Sequence, residues 1–224
     1  MKAKIILFIC LIIAFESFSQ QFVKITDGPH VNDGGDSRSV NWIDYDGDGW
    51  LDLFVSNGPS GGQNNYLYKN NGDETFTKIS GIAITSDNRS SDGSTWGDFD
   101  NDGDPDLFVA NWYNQNNLLY KNNGDGTFSD VSTSAGFDGA YEPMSGSVGD
   151  FNNDGNLDIY TTNTQGNKLY QNTGSGTFNE VAAANNAQMF IFTWGACWID
   201  MDGDKKEDLI VASADPFGNF NNIY

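Results

Sequence analysis

The chain carries four copies of one acidic nonapeptide, at residues 44–52, 98–106, 150–158 and 200–208. Every copy has oxygen-bearing side chains at positions 1, 3, 5 and 9, and three of the four have glycine at position 6. A tightly turning loop with this alternation points its oxygens at one centre, as calcium sites do. The predicted side-chain ligands are Asp44, Asp46, Asp48 and Asp52 in the first loop, Asp98, Asp100, Asp102 and Asp106 in the second, Asp150, Asn152, Asp154 and Asp158 in the third, and Asp200, Asp202, Asp204 and Asp208 in the fourth.

The spacing of the copies predicts the architecture. Their first aspartates are 54, 52 and 50 residues apart, within the range that signals propellers or solenoids. Around each loop lie four short apolar or alternating runs separated by Asn-Gly-type turns, a pattern typical of a four-stranded β-propeller blade. No segment after the N-terminal apolar run shows a sustained helical period, which disfavours a helical solenoid. We therefore predict an all-β propeller with about four blades in view, and we name the strands of each blade A to D.

Differences in loop length indicate where a ligand would bind. From strand D to the next acidic loop the distance is 22 residues in all four units, whereas the stretch between the acidic loop and strand D varies from 20 to 24. All variation therefore lies between strands B and C, on the face opposite the acidic A–B loops. Binding function usually resides on such variable loops. We call this the variable face, and its candidate ligand residues, which could stack on sugar rings or anchor a protein, are Trp112, Tyr113, Tyr141 and Phe217.

The positions of other aromatic residues predict that they pack between blades. Trp42, Trp96 and Trp198 recur two residues before an acidic loop, a phase that predicts packing between blades. Phe190 and Phe192 are open to either interpretation, ligand contact or filling of the gap between blades.

The ends of the chain allow two interpretations of the ring. Residues 22–25 match strand D, and Tyr224 falls within strand C of the fourth unit. Either the chain is a fragment of a larger ring, or four blades close on themselves through the N-terminal strand. We favour the fragment.

The net charge of −20 arises mainly in the acidic loops. They contain 17 of the 31 Asp and Glu residues, and the remaining 14 nearly balance the 11 Lys and Arg residues. Without a basic patch, nucleic acid and anionic membrane surfaces are poor partners.

The N-terminus predicts secretion. Lys2 and Lys4 precede an apolar run at residues 5–15, and residues 17–19 offer small side chains for cleavage, so residues 1–19 are predicted as a signal peptide and 20–224 as the propeller. Eleven apolar residues are too few to span a bilayer, which needs about 20. The mature chain, expected outside the cell or at its surface, would retain only Cys197, which we expect to be a buried small hydrophobe.

The motifs resemble those of a known family. The loop pattern D-x-[DN]-x-D-G-x-x-D-[LI], together with N-x-L-Y-x-N-x-G-x-G-T-F at residues 117–128, resembles FG-GAP/VCBS repeats of integrin α-subunit propellers and many secreted bacterial proteins. Residues 122–136 are similar to the bacterial and cartilage-acidic-protein-like branch.

The resemblance implies a seven-bladed ring and calcium bound by positions 1, 3, 5 and 9 plus the position-7 backbone carbonyl. Those carbonyls belong here to Trp50, Asp104, Asn156 and Lys206. Two departures matter. Asn152 lowers the charge of the third loop, and Lys205 replaces the position-6 glycine of the fourth, where a positive φ is strained for a residue with a Cβ.

We expect the calcium to be structural, because the side chains fill the coordination sphere while a catalytic metal keeps a position open. The prediction is a secreted, calcium-binding, non-catalytic binding or adhesion module for an extracellular protein or glycan. One alternative is a polysaccharide-acting enzyme, and another is a scaffold for a domain further downstream. The enzyme would need ionisable residues on the variable face, where the candidates are His30, which we expect to be an incidental surface residue, and Arg38, Arg89, Glu142 and Asp215.

Overall fold

The structure is a computed structural model that describes residues 23–58, 60–137, 139, 142–190, 192–213 and 222–223. The predicted signal peptide, Tyr141, Phe217 and Asp215 lie outside the described residues.

The described residues form fifteen strands in four antiparallel sheets, each ordered as the strands follow one another along the chain. Blade 1 comprises β1 (Ser37–Ile43), β2 (Asp52–Asn57), β3 (Tyr66–Asn70) and β4 (Phe76–Ile79). Blade 2 comprises β5 (Ser91–Gly97), β6 (Asp106–Asn111), β7 (Leu118–Asn122) and β8 (Phe128–Asp130). Blade 3 comprises β9 (Pro143–Gly149), β10 (Asp158–Asn163), β11 (Lys168–Asn172) and β12 (Phe178–Glu180). Blade 4 comprises β13 (Thr193–Ile199), β14 (Asp208–Ser213) and β15 (Asn222–Ile223). The predicted all-β architecture of propeller blades is confirmed.

Helices are confined to short pieces before the first strand of a blade. They are α1 (Pro29–Asn32), a 3-10 helix (Ala83–Thr85) and α2 (Ser132–Ala135). Within the described part of the chain, none has the length or the apolar character that crossing a bilayer requires.

The predicted N-terminal strand D is wrong for the residues described. Residues 23–27 belong to no strand. Val23 and Ile25 are 83% and 62% exposed, so neither is held against a sheet. Alternating apolar residues form a strand only where a sheet edge offers backbone hydrogen bonds, and this segment pairs with none of the described strands.

The hydrophobic core is divided among the interfaces between blades. One cluster joins blades 1 and 2, a second joins blades 2 and 3, and a third joins blades 3 and 4. Trp96 shows the arrangement, because its ring lies 5.6 Å from Phe54 of blade 1 and 5.9 Å from Phe128 of its own blade. Trp198 packs on Tyr160 of blade 3 at 6.3 Å. The predicted interblade packing of these tryptophans is confirmed.

Trp42 and Cys197 differ from their expected surroundings. Trp42 is 56% exposed, because no described blade precedes its own. Cys197 is exposed rather than buried. Its neighbours Ala196 and Trp198 pack against the third cluster. Because side chains alternate along a strand, Cys197 points to the other face.

Strand A of each blade lies next to strand A of the following blade. The Ser94 hydroxyl illustrates this, lying 2.6 Å from the Ser39 hydroxyl and donating to Asn41 Oδ1 at 2.6 Å. All four acidic loops follow strand A, so they share one face with the C–D turns. The start of strand A lies on the variable face, about 20 Å away for a seven-residue strand.

Candidate functional site

The acidic loops share a hydrogen-bonded conformation that differs in one bond in the fourth loop. In the first loop, Asp44 Oδ1 accepts from the Asp48 N–H at 3.0 Å and Asp44 Oδ2 from the Gly49 N–H at 2.9 Å. Asp48 Oδ1 then accepts from the Trp50 N–H at 2.9 Å. The second and third loops repeat these bonds within 0.1 Å. In the fourth, Asp200 Oδ1 accepts from the Gly203 N–H instead, at 2.7 Å.

Two loop positions adopt the left-handed backbone region. Position 6 has φ of 90°, 97° and 87° at its glycines and 72° at Lys205, so the predicted positive φ at this lysine is confirmed. Position 4 is also left-handed in every loop, a feature that was not predicted from the sequence. The signal was present, because position 4 is always Gly or Asn, the residues that tolerate this region.

Three loops gather carboxylates as a cation site requires. Each of three trios has one oxygen per residue within 4.8 Å of the others: Asp44, Asp46 and Asp48; Asp98, Asp100 and Asp106; and Asp200, Asp202 and Asp208. Asp52, Asp102 and Asp204 fall outside these trios. In the third loop, Asn152 donates from its amide to Asp154 Oδ2 at 2.9 Å. An oxygen-only donor set suits a hard cation such as calcium.

Position 9 is the first residue of strand B in every blade, and its carboxylate is buried in the first three loops and partly buried in the fourth. Burial raises the pKa of Asp52, Asp106 and Asp158 to about 6. Asp106 Oδ2 accepts from the Phe99 N–H at 3.1 Å and its Oδ1 from the Asn122 N–H at 2.8 Å, and the equivalents in blades 1 and 3 bond likewise. A cation beside such a carboxylate would offset the penalty of burying its charge. The loops therefore fit the ion that the resemblance implies.

An asparagine at the end of strand C joins neighbouring loops. Asn122 of blade 2 donates from its side-chain amide to the Tyr45 carbonyl, in the acidic loop of blade 1, at 2.8 Å. Asn172 of blade 3 donates in the same way to the Phe99 carbonyl of blade 2, also at 2.8 Å. From the sequence, both asparagines were predicted only as parts of turns. Their recurrence in the N-x-L-Y-x-N pattern was the available signal.

A cleft of about 270 Å³ opens on the variable face. Four aromatic side chains line it with an arginine and an aspartate, and the lining residues are Trp112, Tyr113, Phe192, Trp194, Arg38 and Asp92, together with Gly58 and Met144. Arg38, Asp92, Met144 and Trp194 are each the second residue of strand A, one from each blade. The cleft is therefore built where the four A strands begin.

Two aromatic residues of the cleft are exposed, and Trp112 and Phe192 are half-buried. Tyr113 and Trp194 are 47% and 56% exposed. Tyr113 and Asn114 have φ of 57° and 56°, two consecutive left-handed residues that are not glycine. Such strained conformations cluster at functional sites. Phe192 lies 4.8 Å from Trp194 between ring centroids.

The structure brings only some of the predicted variable-face residues together. Trp112, Tyr113, Phe192 and Arg38 meet in the cleft, whereas Phe190 does not line it and is 74% exposed. Trp194 and Asp92 were missed, although their alignment with Arg38 at the second residue of strand A was visible.

His30 is not an incidental surface residue. It lies in α1, and its ring packs 4.5 Å from that of Phe76.

Comparisons with known proteins agree with the fold. A family model described as FG-GAP-like repeat matches residues 44–109, 98–161 and 150–211. Cartilage acidic protein 1 of Xenopus tropicalis is 32% identical over 137 residues, which are 56% of this chain and 21% of that protein. The chain thus spans about a fifth of the length of this curated relative.

Two solved structures share weaker similarity. One is an Agrocybe aegerita lectin described by its recognition of non-reducing terminal N-acetylglucosamine, at 22% identity and a TM-score of 0.48, covering 82% of this chain and 50% of the other. The second is a Photorhabdus luminescens Tc holotoxin pore, at 15% identity and a TM-score of 0.45, covering 84% of this chain and 9% of the other.

Proposed function

The chain belongs to the FG-GAP-like repeat family, and on that basis we propose that it is a secreted, calcium-stabilised propeller whose variable face binds a glycan. The observation that carries the calcium proposal is the gathering of carboxylates in the first, second and fourth acidic loops. In the first three loops the position-9 aspartate is also buried.

Calcium would act structurally in this protein. It would be held by the carboxylates at positions 1, 3, 5 and 9, with Asn152 supplying an amide oxygen in the third loop. The ion would neutralise charges that otherwise repel one another and would fix the turn between strands A and B. Outside a cell, a dissociation constant of about 10⁻⁴ to 10⁻³ M is sufficient for this purpose. Secretion, supported by the signal-like N-terminus, supplies that environment.

The cleft favours a saccharide as the ligand. Its volume of about 270 Å³ is just below the range of about 300–1,000 Å³ that is typical of small-molecule sites, so it suits one or two sugar rings better than a folded protein segment. Aromatic faces such as those of Trp112 and Trp194 stack on the apolar face of a sugar. Arg38 and Asp92 add a donor and an acceptor for its hydroxyl groups.

Binding without catalysis is the interpretation that the cleft supports best. Glycoside hydrolysis in most families needs two carboxyl groups flanking the scissile bond. Among the described residues that line the cleft, Asp92 is the one carboxylate. Burial raises the pKa of Asp92, and the positive charge of Arg38 opposes that rise. Arg38 itself pairs with Asp36 at 3.0 Å and donates to the Gly58 carbonyl at 3.3 Å, which holds it at the rim.

The calcium proposal is tested by titrating metal-free protein with calcium in a calorimeter and by melting it with and without the ion. We expect bound calcium and a rise in melting temperature. No bound calcium by elemental analysis, together with a melt unchanged by the chelator EGTA, would refute the proposal.

The binding proposal is tested on a glycan array with three variants. Trp112→Ala and Trp194→Ala should each lower affinity about tenfold, as loss of an aromatic anchor does. Trp42→Ala is the matched control, because Trp42 is as exposed as Trp194 but lies outside the cleft. A reducing-end release assay on any bound glycan distinguishes binding from cleavage. If the chain gives no signal on the glycan array but binds another protein, a protein partner is favoured instead.

A further inference from the structure

Two of the acidic loops already contact a cation that belongs to the chain. Lys69 on strand β3 forms ion pairs with Asp46 and, at 2.8 Å, with Asp48. Lys121 on β7 does the same with Asp100 and, at 2.6 Å, with Asp102. In both blades the ammonium bridges the carboxylates at loop positions 3 and 5, two of the four side chains proposed to hold calcium.

The third blade changes both partners together. Gln171 on β11 occupies the place of Lys69 and Lys121, and position 3 of its loop is Asn152 instead of Asp. Loops 1 and 2 therefore combine four carboxylates with one ammonium, while loop 3 combines three carboxylates with none. The net charge over these positions is −3 in all three blades. Because the net charges are equal, charge alone does not predict a lower cation affinity for the third loop than for the other two.

We propose that Lys69 and Lys121 are tethered counter-ions that hold loops 1 and 2 closed without calcium and are displaced when calcium binds. The proposal rests on calcium being the ion of these loops. Each lysine ammonium takes an oxygen from both the position-3 and the position-5 carboxylate, so a divalent ion that takes the same carboxylates must repel it or move it. In loops 1 and 2, calcium would then replace the lysine ammonium when it binds, and the ammonium would return when calcium leaves. Loop 3 would bind calcium without such a competitor.

The lysine side chains are placed for such an exchange. Lys69 and Lys121 are 32% and 35% exposed, so a displaced ammonium reaches water without crossing the core. Lys121 and Asp100 also line a cavity of about 130 Å³ between blades 2 and 3, with Gly176 of the next blade at its edge. The side chain therefore has space in which to move.

Methionine substitutions test the proposal in the full chain. Methionine keeps the aliphatic stem and brings neither a charge nor an oxygen that could bind the ion. Coulomb's law at the dielectric constant of water predicts that Lys69→Met or Lys121→Met tightens calcium binding at that loop about tenfold. The metal-free protein should melt at a lower temperature in both variants, because the loop carboxylates lose their counter-ion. The gain in affinity should shrink in 1 M salt, where charges are screened within about 3 Å.

The converse change and a control complete the design. Gln171→Lys should weaken calcium binding at the third loop. Lys78→Met is the matched control, because Lys78 has similar exposure and pairs with Asp33 at 2.8 Å, away from any acidic loop. It should leave calcium affinity unchanged. Calorimetric titration with calcium chloride measures affinity and stoichiometry for every variant.

The outcomes separate this inference from the calcium proposal itself. If the parent protein binds no calcium, the proposal that these are calcium loops is wrong. If the parent binds calcium but Lys69→Met and Lys121→Met bind it equally or more weakly, the lysines are structural ion pairs and the counter-ion inference is overturned. Tighter binding combined with a lower metal-free melting temperature supports it, since a merely structural lysine would lower stability without improving affinity.

Discussion

Removing the side chain of Asn122 should loosen the contact between blades 1 and 2. Asn122 is fully buried, and its side-chain amide donates to the Tyr45 carbonyl at 2.8 Å and to the Pro105 carbonyl at 3.2 Å. Its Oδ1 accepts from the Gly124 N–H at 3.1 Å. Asn122→Ala removes all three hydrogen bonds and leaves the Tyr45 carbonyl without this partner.

Blade 1 supplies an internal comparison. Asn70 occupies the same place at the end of strand C and makes the two bonds within its own blade, to the Leu51 carbonyl and from the Gly72 N–H, both at 3.0 Å. Each hydrogen bond contributes about 1 kcal/mol net, so Asn122→Ala should cost about 3 kcal/mol and Asn70→Ala about 2 kcal/mol. The difference of about 1 kcal/mol corresponds to roughly 2–4 °C in melting temperature for a chain of this size.

Urea denaturation and thermal melts of both variants measure the difference, with Asn172→Ala as a replicate at the next interface. Asn172 makes the corresponding bond to the Phe99 carbonyl at 2.8 Å, so it should behave as Asn122 does. Equal losses for Asn70→Ala and Asn122→Ala would show that the bond between blades adds nothing. Performing the series in calcium and in metal-free buffer separates this effect from the ion.

Three other perturbations have expected results. Lys205→Gly should stabilise the protein by about 1 kcal/mol in urea denaturation, because φ at this position is 72° and glycine adopts that conformation without strain. Phe137→Ala should cost about 3–5 kcal/mol in the same assay, since Phe137 is buried among three aromatic rings at 4.7 to 5.2 Å. Burial raises the folded-state pKa of Asp52, Asp106 and Asp158 from 3.8 to about 6, so their neutral forms favour folding. Metal-free protein, melted between pH 4 and pH 7, should therefore lose stability as the pH rises through about 6, and calcium at pH 7 should restore it.

The blade architecture could be predicted because each of its determinants recurs. Alternating oxygen-bearing side chains identify the A–B loop, and Gly and Asn identify the turns. The constant spacing from strand D to the next loop identifies the order of the strands. A mistake in one copy is corrected by the others. Where only one copy carries a signal, the sequence misleads, as at Val23 and Ile25, which alternate like a strand D but have no described edge to pair with.

The full lining of the cleft and the loop ion pairs could not be predicted from periodicity, for a different reason. Trp112 follows a strand of blade 2 and Trp194 lies in blade 4, and their meeting depends on how the blades turn about a common axis. Lys69 lies 21 residues from Asp48, and only the register of β2 and β3 brings them together. Periodicity along the chain carries no information on such distances. A comparison of the same strand position in all blades does, since it aligns Arg38 with Trp194 and Lys69 with Gln171.

The two faces of the molecule are mechanically linked through position 9 of the loops. Asp106 closes its own loop by accepting from the Phe99 N–H, and it positions Asn122 by accepting from that residue's backbone N–H. Asn122 then holds the Tyr45 carbonyl of the neighbouring loop. On the calcium proposal, a cation that fixes the loop of blade 2 would also restrain blade 1 through this bond. Strand A joins the acidic face to the variable face, where Asp92 of blade 2 lines the cleft. Because the cleft takes one residue from the start of each A strand, its shape depends on how neighbouring blades are held together, and the bonds of the acidic face contribute to that contact alongside the interblade hydrophobic clusters.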